Sequence, residues 1–300
     1  MKRPWQIWLD RRGRISPLRL ATLALLIWPV VLAAYAFATT GFGARPLNDV
    51  IHRTGFWALM FILLTLAVTP LRRIARFGSL IDVRRMIGVG AFCYAATHFC
   101  LYIADQSFDL WKVASEIVLR LYLTIGFTAL IGLTVLAITS TDGMVKRLGG
   151  QRWRRLHQIV YVIGLLALIH YFQQTKADVS VPVFTAAIFG WLMVYRAIAA
   201  WSGRSELSAA MLAGLAILAA VLTFAGEAIG IGIAYRVSPM RILSTAFDFD
   251  ADIRPGWLVL GAGFAVVIVD LAAAYWRGDK VRSREPTQAH IGGVTPSRPT

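Results

Sequence analysis

The run LYLTIGFTALIGLTVLAITST, residues 121–141, contains no charged side chain. A helix of about 20 mainly apolar residues is long enough to cross the hydrocarbon core of a bilayer. Seven further stretches share this character, the last one interrupted by Asp270: residues 20–44, 54–71, 86–104, 156–175, 179–195, 207–226 and 255–276. Hydrophobic residues make up 57% of the 300-residue chain. The sequence therefore predicts an all-α integral membrane protein of about eight transmembrane helices.

The distribution of basic residues predicts the orientation of these helices. The net charge of +15 at pH 7 would by itself suit a nucleic-acid-binding protein. The 31 lysines and arginines, however, are concentrated on alternate connecting segments, and the N-terminal segment is one of the rich ones. The positive-inside rule then places both termini in the cytoplasm. The anionic head groups of the lipid bilayer are a sufficient partner for this charge, and no nucleic-acid partner is expected.

Individual residues predict how some spans begin and end. The first span is expected to be an uncleaved anchor, because its apolar run is too long for a signal peptide. Pro70 is expected to end the second span on the inner side. Cys93 and Cys100 share one predicted helix and are separated by about 10 Å along its axis. That separation is too long for a disulfide, and both cysteines are expected to be core thiols.

Two histidines in the predicted membrane region carry the functional hypothesis. His98 lies near the outer end of the third span, and His170 lies near the outer end of the fifth. The topology places both at one depth, among apolar and aromatic residues. Ionisable residues within spans are costly, which makes them functional candidates. Because two imidazoles at one depth can supply both axial ligands of a heme iron, we predict that His98 and His170 are heme ligands.

A second set of residues lies at the inner side. His157 precedes His170 by about 20 Å along the helix axis, which suits a second heme iron or another cofactor. Thirteen residues do not return to one face of an ideal helix, so this helix must bend or the two ligands must point differently. The third span offers Arg84 and Arg85 at this depth. Arginine is a good partner for a heme propionate or a flavin phosphate, but these arginines are equally well explained as topology determinants.

The remaining ionisable residues near the membrane have simpler interpretations. His52 opens the second span and could be a ligand, a propionate partner or an interfacial residue, of which the last is favoured. Glu116 and Arg120 have the spacing of a helical ion pair. Glu227 and Asp270 near the ends of the last two spans are explained by snorkelling or pairing.

Several of these segments together resemble a known family. They are RRMIG at residues 84–88 leading to Thr97-His98, WRRLHQIVY at 153–161 leading to His170-Tyr171, residues 46–55, and TPLR at 69–72. They are similar to the heme-binding membrane subunit of the periplasmic protein-methionine-sulfoxide reductase system, the MsrQ or YedZ family. That family belongs to the ferric-reductase-like transmembrane group. The resemblance covers roughly residues 20–200.

The resemblance implies a division of the chain into four parts. A basic cytoplasmic N-terminus at residues 1–19 precedes a six-helix, ferric-reductase-like heme-binding core at 20–200. A two-helix C-terminal membrane extension follows at 205–277, and it lies outside the resemblance. Residues 278–300 are rich in Pro, Ser, Thr and Gly and are expected to form a disordered cytoplasmic tail.

The resemblance also implies a function. It predicts a b-type cytochrome with one or two hemes and FMN, although no flavin-binding residue is identifiable from the sequence. Such a chain would sit in the bacterial inner membrane and take electrons from the quinone pool or from a flavin reductase. It would pass them to a periplasmic molybdenum-containing methionine sulfoxide reductase, as an electron-transfer subunit without catalytic residues of its own. The alternatives are a stand-alone ferric or quinone reductase and, in another class, a proton-coupled transporter whose histidines relay protons.

Overall fold

A computed structural model describes residues 8–9, 13–175, 178–204, 206–250 and 252–282 of the chain, with side chains described up to residue 276. Most of the expected basic N-terminus and of the expected tail therefore lies outside the described residues. The helices in the described part are α1 (Pro17–Thr39), α2 (Pro46–Ile74), α3 (Ile81–Asp105), α4 (Leu110–Leu119), α5 (Leu121–Ile138), α6 (Asp142–Leu148), α7 (Gly150–His157), α8 (Val160–Gln174), α9 (Ser180–Trp201), α10 (Ala209–Tyr235), α11 (Pro239–Ser244) and α12 (Pro255–Arg282).

Eight helical segments in the described part of the chain are long and apolar enough to cross a membrane, which confirms the predicted all-α membrane fold. Helices satisfy every backbone polar group internally, so they are the form that an apolar run of this length takes in a bilayer. The segments are residues 17–39, 46–74, 78–105, 121–138, 150–174, 180–201, 209–235 and 255–276. Most of these helical segments extend beyond the uncharged run of the same span at one or both ends. Polar residues continue these helices into the head-group region.

Helix α2 is the centre of the bundle. It is the most buried of the membrane-crossing segments, and it packs against α3, α8, α9 and α12. Four helices close a ring through the contacts α2–α3, α3–α5, α5–α8 and α8–α2. Apolar side chains such as Phe61, Ile87, Ala91, Leu133 and Ile163 fill the interior of this ring. Helices α10 and α12 pack chiefly on one another and reach the ring through α9 and α2.

The fifth predicted span is broken on its inner side. Helix α7 ends at His157, two residues follow, and α8 begins at Val160. The thirteen-residue spacing of His157 and His170 predicts either a bend in this helix or side chains that point in different directions. The structure contains a break immediately after His157. This break allows His157 and His170 to take independent directions.

The expectation that Pro70 ends the second span is wrong, since α2 continues through Pro70 to Ile74. Proline has no N–H and therefore leaves the carbonyl oxygen of Leu66, four residues earlier, without its helical donor. Arg196 of α9 donates from Nη2 to this carbonyl oxygen. Its Nη1 donates to Leu192 at 2.7 Å, and its guanidinium lies 5.6 Å from the centroid of the Tyr161 ring. The helix survives its proline because a neighbouring side chain replaces the missing donor.

Both cysteines lie on the outside of α3. Cys93 and Cys100 are exposed, so the expectation of core thiols is wrong. Their neighbours Ala91 and His98 face the bundle, and a residue two places away on a helix points to a different side. In a membrane protein this outer surface meets lipid, where a thiol is as acceptable as any small apolar group.

The last two membrane helices carry acidic residues that are paired. Glu227 of α10 is almost completely buried, and its Oε1 lies 3.2 Å from Nη1 of Arg254. Asp270 of α12 lies 3.6 Å from Nη2 of Arg76, which follows α2. Arg76 also approaches Glu206, with 3.7 Å between Nε and Oε2. The interpretation of Glu227 and Asp270 as paired residues agrees with this arrangement, which ties α12 to the centre of the bundle.

Candidate functional site

His98 and His170 are each anchored to the backbone of a neighbouring helix. Nδ1 of His98 in α3 lies 2.8 Å from the carbonyl oxygen of Ile51 in α2. Nδ1 of His170 in α8 lies 2.7 Å from the carbonyl oxygen of Tyr122 in α5. A carbonyl oxygen can only accept, so each Nδ1 carries a proton and donates it. This tautomer leaves the lone pair of each imidazole on Nε2, the atom that binds a metal.

The structure brings these two imidazoles together. Their ring centroids are 6.3 Å apart, and their planes are inclined at 80°. Neither Nε2 atom makes a hydrogen bond within the described ranges. With metal–nitrogen bonds of about 2.0 Å, an ion bound in line by both Nε2 atoms would separate the ring centroids by roughly 6 Å. The pair therefore has the separation that two axial ligands of one iron require.

The surroundings of the pair suit a porphyrin. Both histidines are only partly exposed, and aromatic rings from several helices lie close to them. The ring of Tyr122 is 6.4 Å from that of His170, and Phe99 and Phe127 pack together at 5.4 Å between α3 and α5. A heme iron takes four ligands from its macrocycle and leaves two axial positions for the protein, and paired imidazoles fill them in many cytochromes. The two imidazoles and the aromatic rings around them therefore fit heme.

His157 belongs to a separate cluster at the helix break. Its ring stacks on Trp153 with 3.9 Å between centroids, and its Nε2 lies 3.1 Å from the hydroxyl of Thr139. Trp153 donates from Nε1 to the carbonyl oxygen of Thr139 at 2.9 Å. The hydroxyl of Thr139 already donates to Val135 at 2.7 Å, so it accepts from His157. Thr139 thus fixes both aromatic side chains of this cluster.

The structure places Arg84 and Arg85 near His157 and gives them different partners. Both arginines are close enough to act on His157 electrostatically. Arg84 is partly buried and donates from Nη1 to the hydroxyl of Thr69 at 3.4 Å. Arg85 is exposed and forms an ion pair with Asp142, the first residue of α6. Arg84 therefore faces the bundle, whereas Arg85 holds the short helix α6 against it.

His52 and Arg120 are both exposed. His52 lies on α2, next to Ile51, whose carbonyl oxygen lies 2.8 Å from Nδ1 of His98. Arg120 and Glu116 form the expected i,i+4 ion pair at the end of α4. Arg120 is exposed, and hydrogen bonding to Tyr122 and the charge of Glu116 raise its pKa. This exposed pair contributes little to stability.

Sequence reasoning missed the residues that position the two histidines. Gly55 in α2 and Gly126 in α5 lie directly against the imidazoles of His98 and His170. A glycine inside a helix costs about 1 kcal/mol relative to alanine, which is a signal of close approach. Both glycines lie in uncharged runs, at 54–71 and 121–141, but a glycine does not indicate which side chain packs against it. The role of Arg196 was also missed, because Pro70 was interpreted as the end of a helix.

Comparisons with known proteins agree with this architecture. A family model described as the ferric reductase like transmembrane component matches residues 53–168, from α2 into α8. This match defines the class of membrane protein. The matched residues include His98 and His157 and end two positions before His170. No solved structure shows significant similarity to the chain.

Curated relatives define the family more narrowly. The protein-methionine-sulfoxide reductase heme-binding subunit MsrQ of Herminiimonas arsenicoxydans is 44% identical over 171 residues, covering 56% of this chain and 78% of the relative. MsrQ of Rhodospirillum rubrum is 40% identical over 192 residues, covering 64% and 90%. MsrQ of Xanthomonas oryzae pv. oryzae is 41% identical over 179 residues, covering 59% and 81%. The chain belongs to the MsrQ family, which confirms the resemblance drawn from the sequence.

Proposed function

We propose that this chain is the heme-binding membrane subunit of a protein-methionine-sulfoxide reductase system. It carries electrons through the bilayer to a reductase on the outer side. The observation that carries the proposal is the pairing of His98 and His170, with 6.3 Å between ring centroids and both Nε2 atoms available. The names of its relatives as heme-binding subunits support the same cofactor.

In this proposal His98 and His170 would hold the iron of one b-type heme through their Nε2 atoms. When bound, heme supplies one-electron transfer at a potential set by its ligands and surroundings. The carbonyl oxygens of Ile51 and Tyr122 accept from the two Nδ1–H groups, which makes each imidazole a stronger electron donor to the metal. The aromatic rings of Tyr122, Phe99 and Phe127 near the pair would give the macrocycle apolar surroundings.

The inner cluster is the proposed second site. His157 would be its ligand through Nδ1, the ring nitrogen that stays unprotonated when Nε2 donates to Thr139. Arg84, which is partly buried, would face a heme propionate or a flavin phosphate. Arg85 contributes positive charge but is already paired with Asp142. A second heme or FMN would occupy this site, FMN being proposed from family resemblance alone. The donor would be membrane quinol or a separate flavin reductase.

The division of the chain and its orientation remain predictions. The relatives align with 56–64% of this chain, and a six-helix core followed by a two-helix extension agrees with that share. The acceptor is proposed to be a periplasmic molybdenum-containing methionine sulfoxide reductase. It would dock where His98 and His170 approach the outer surface of a bacterial inner membrane, with both chain termini on the cytoplasmic side.

The proposal is tested by the heme content of purified protein. Heme per chain is measured by pyridine hemochrome in the wild type and in the variants His98→Ala and His170→Ala. Each variant should lose most of the outer heme, because each removes one ligand of the same iron. Thr97→Ala and Gln173→Ala are matched controls, since both residues are exposed on the same helices. A colourless wild type would favour a transporter, and unchanged heme in both histidine variants would contradict the pairing.

A further inference from the structure

Two glycines face the proposed heme ligands from the neighbouring helices. A Cβ atom placed on Gly126 would lie 2.8 Å from both Nδ1 and Cε1 of His170. A Cβ atom placed on Gly55 would lie 3.0 Å from the same two atoms of His98. Real Cβ atoms essentially never come closer than 3.0 Å to another side chain. The imidazole of His170 therefore occupies space that any residue other than glycine would need, and the fit at His98 is almost as tight.

Each glycine is combined with the hydrogen bond that holds the same histidine. The carbonyl of Ile51 lies four residues before Gly55, and that of Tyr122 lies four residues before Gly126. Residues four apart occupy the same face of a helix, one turn apart. Each histidine thus meets a carbonyl oxygen and a bare Cα on one helix face. The same arrangement occurs once between α2 and α3 and once between α5 and α8.

This arrangement fixes three properties of each imidazole. The carbonyl selects the tautomer with the proton on Nδ1, and the direction of the hydrogen bond limits rotation of the ring. The missing Cβ of the glycine lets the ring lie directly against the helix backbone, which sets its position. The two ring planes are held at 80° to each other. Nearly perpendicular axial imidazoles donate to different iron orbitals, and ligand orientation is one of the means by which a protein tunes a heme.

We propose that Gly55 and Gly126 are positioning residues that set the distance and the orientation of the two axial histidines. This inference rests on the proposed function, because it concerns the same heme site. The glycines touch no substrate and act only through His98 and His170. Their effect should therefore appear in the spectroscopy of bound heme as well as in the amount of heme retained.

The test compares Gly126→Ala, Gly55→Ala and Gly132→Ala in the full-length protein. Gly132 is the matched control, because an added Cβ there would lie 2.8 Å from the side chain of Ile163 and would clash between the same two helices, α5 and α8, without touching a histidine. Heme per chain, the low-spin electron paramagnetic resonance spectrum and the reduction potential are measured. Unfolding of each variant in detergent is followed separately, so that loss of heme is distinguished from loss of fold.

Gly126→Ala should weaken heme retention by roughly tenfold, in line with the loss of an outer-shell partner of a metal ligand. Gly55→Ala should keep heme but shift the largest g value and the reduction potential, because its contact is less tight. Gly132→Ala should leave all three heme readouts unchanged. A wild type with heme and unchanged readouts in both Gly126→Ala and Gly55→Ala would overturn the positioning role alone. A wild type without heme would overturn the proposed function and this inference together.

Discussion

Arg196 of α9 donates a hydrogen bond to the carbonyl oxygen of Leu66 in α2, the acceptor that Pro70 leaves without a helical donor. Water cannot take over this role in the interior of a bilayer, where each unsatisfied backbone group costs free energy. A partly buried arginine in a transmembrane helix is therefore explained here by backbone chemistry. The interaction also joins α9 to the central helix of the bundle.

Replacing Arg196 should destabilise the protein in a way that Pro70→Ala relieves. Arg196→Met leaves the carbonyl of Leu66 unsatisfied, at a cost of about 1–2 kcal/mol in the free energy of unfolding. In the double variant with Pro70→Ala, the new N–H of residue 70 donates to that carbonyl. Thermal unfolding in detergent should show a smaller loss for the double variant than for Arg196→Met. Equal losses would contradict this account, and Arg204→Met, at an exposed position, is the control.

Replacing one of the two proposed heme ligands should change the reduction potential of the proposed outer heme. A methionine–histidine pair raises the reduction potential of a cytochrome relative to two histidines. His170→Met should therefore retain part of the heme with a higher potential, measured by optical redox titration. Gln173→Met on the same helix should leave the potential as in the wild type. A retained heme with an unchanged potential in His170→Met would show that His170 does not bind the iron.

His157 should affect a component distinct from the His98–His170 pair. If the inner cluster binds a second heme, redox titration of the wild type should resolve two components, and His157→Ala should remove only one. Thr139→Val should perturb the same component, because it removes the hydroxyl that lies 3.1 Å from Nε2 of His157. One component at one heme per chain would assign His157 to a flavin, to a quinone or to the structure of the helix break.

Heme reoxidation in vesicles should depend on an outer partner. The protein is reconstituted with quinol or reduced flavin as donor and with a methionine sulfoxide reductase outside. Reoxidation should accelerate only when the reductase and a methionine sulfoxide substrate are both present. Docking on the short outer connections would be modest in area and transient. If the rate of heme reoxidation does not change with the reductase but increases with ferric chelates, the stand-alone ferric reductase becomes the better interpretation.

The sequence predicted the spans well because the bilayer leaves few alternatives. An uncharged run such as 121–141 has to form a helix, and the number and order of spans follow from counting such runs. The uncharged run at 156–175 does not reveal where its helix breaks, because the contacts of Trp153 and His157 at the break are made with Thr139, which follows a different helix. The predicted end of α2 at Pro70 was wrong, because the helix continues where Arg196, from a distant part of the chain, donates to the carbonyl oxygen that the proline leaves without a donor.

The candidate site was predictable in its outline and not in its detail. Matching depth was enough to place His98 opposite His170. The partners of these histidines were not predictable, because the carbonyls of Ile51 and Tyr122 belong to the backbone and carry no sequence signal. Gly55 and Gly126 carry a weak signal, but the approaching side chain is known only once helices α3 and α8 are placed.

The ion pair between Glu227 and Arg254 also bears on how the chain enters the membrane. Synthesis runs from the N-terminus, so the ribosome releases α10 before it releases Arg254, which directly precedes α12. An unpaired acidic residue within an inserting helix is disfavoured, by up to about 3 kcal/mol when it lies at the helix centre. Helices α10 and α12 therefore enter the bilayer most favourably as one hairpin. Asp270 then meets Arg76 of a bundle that is already in place, so this end of the protein is assembled last.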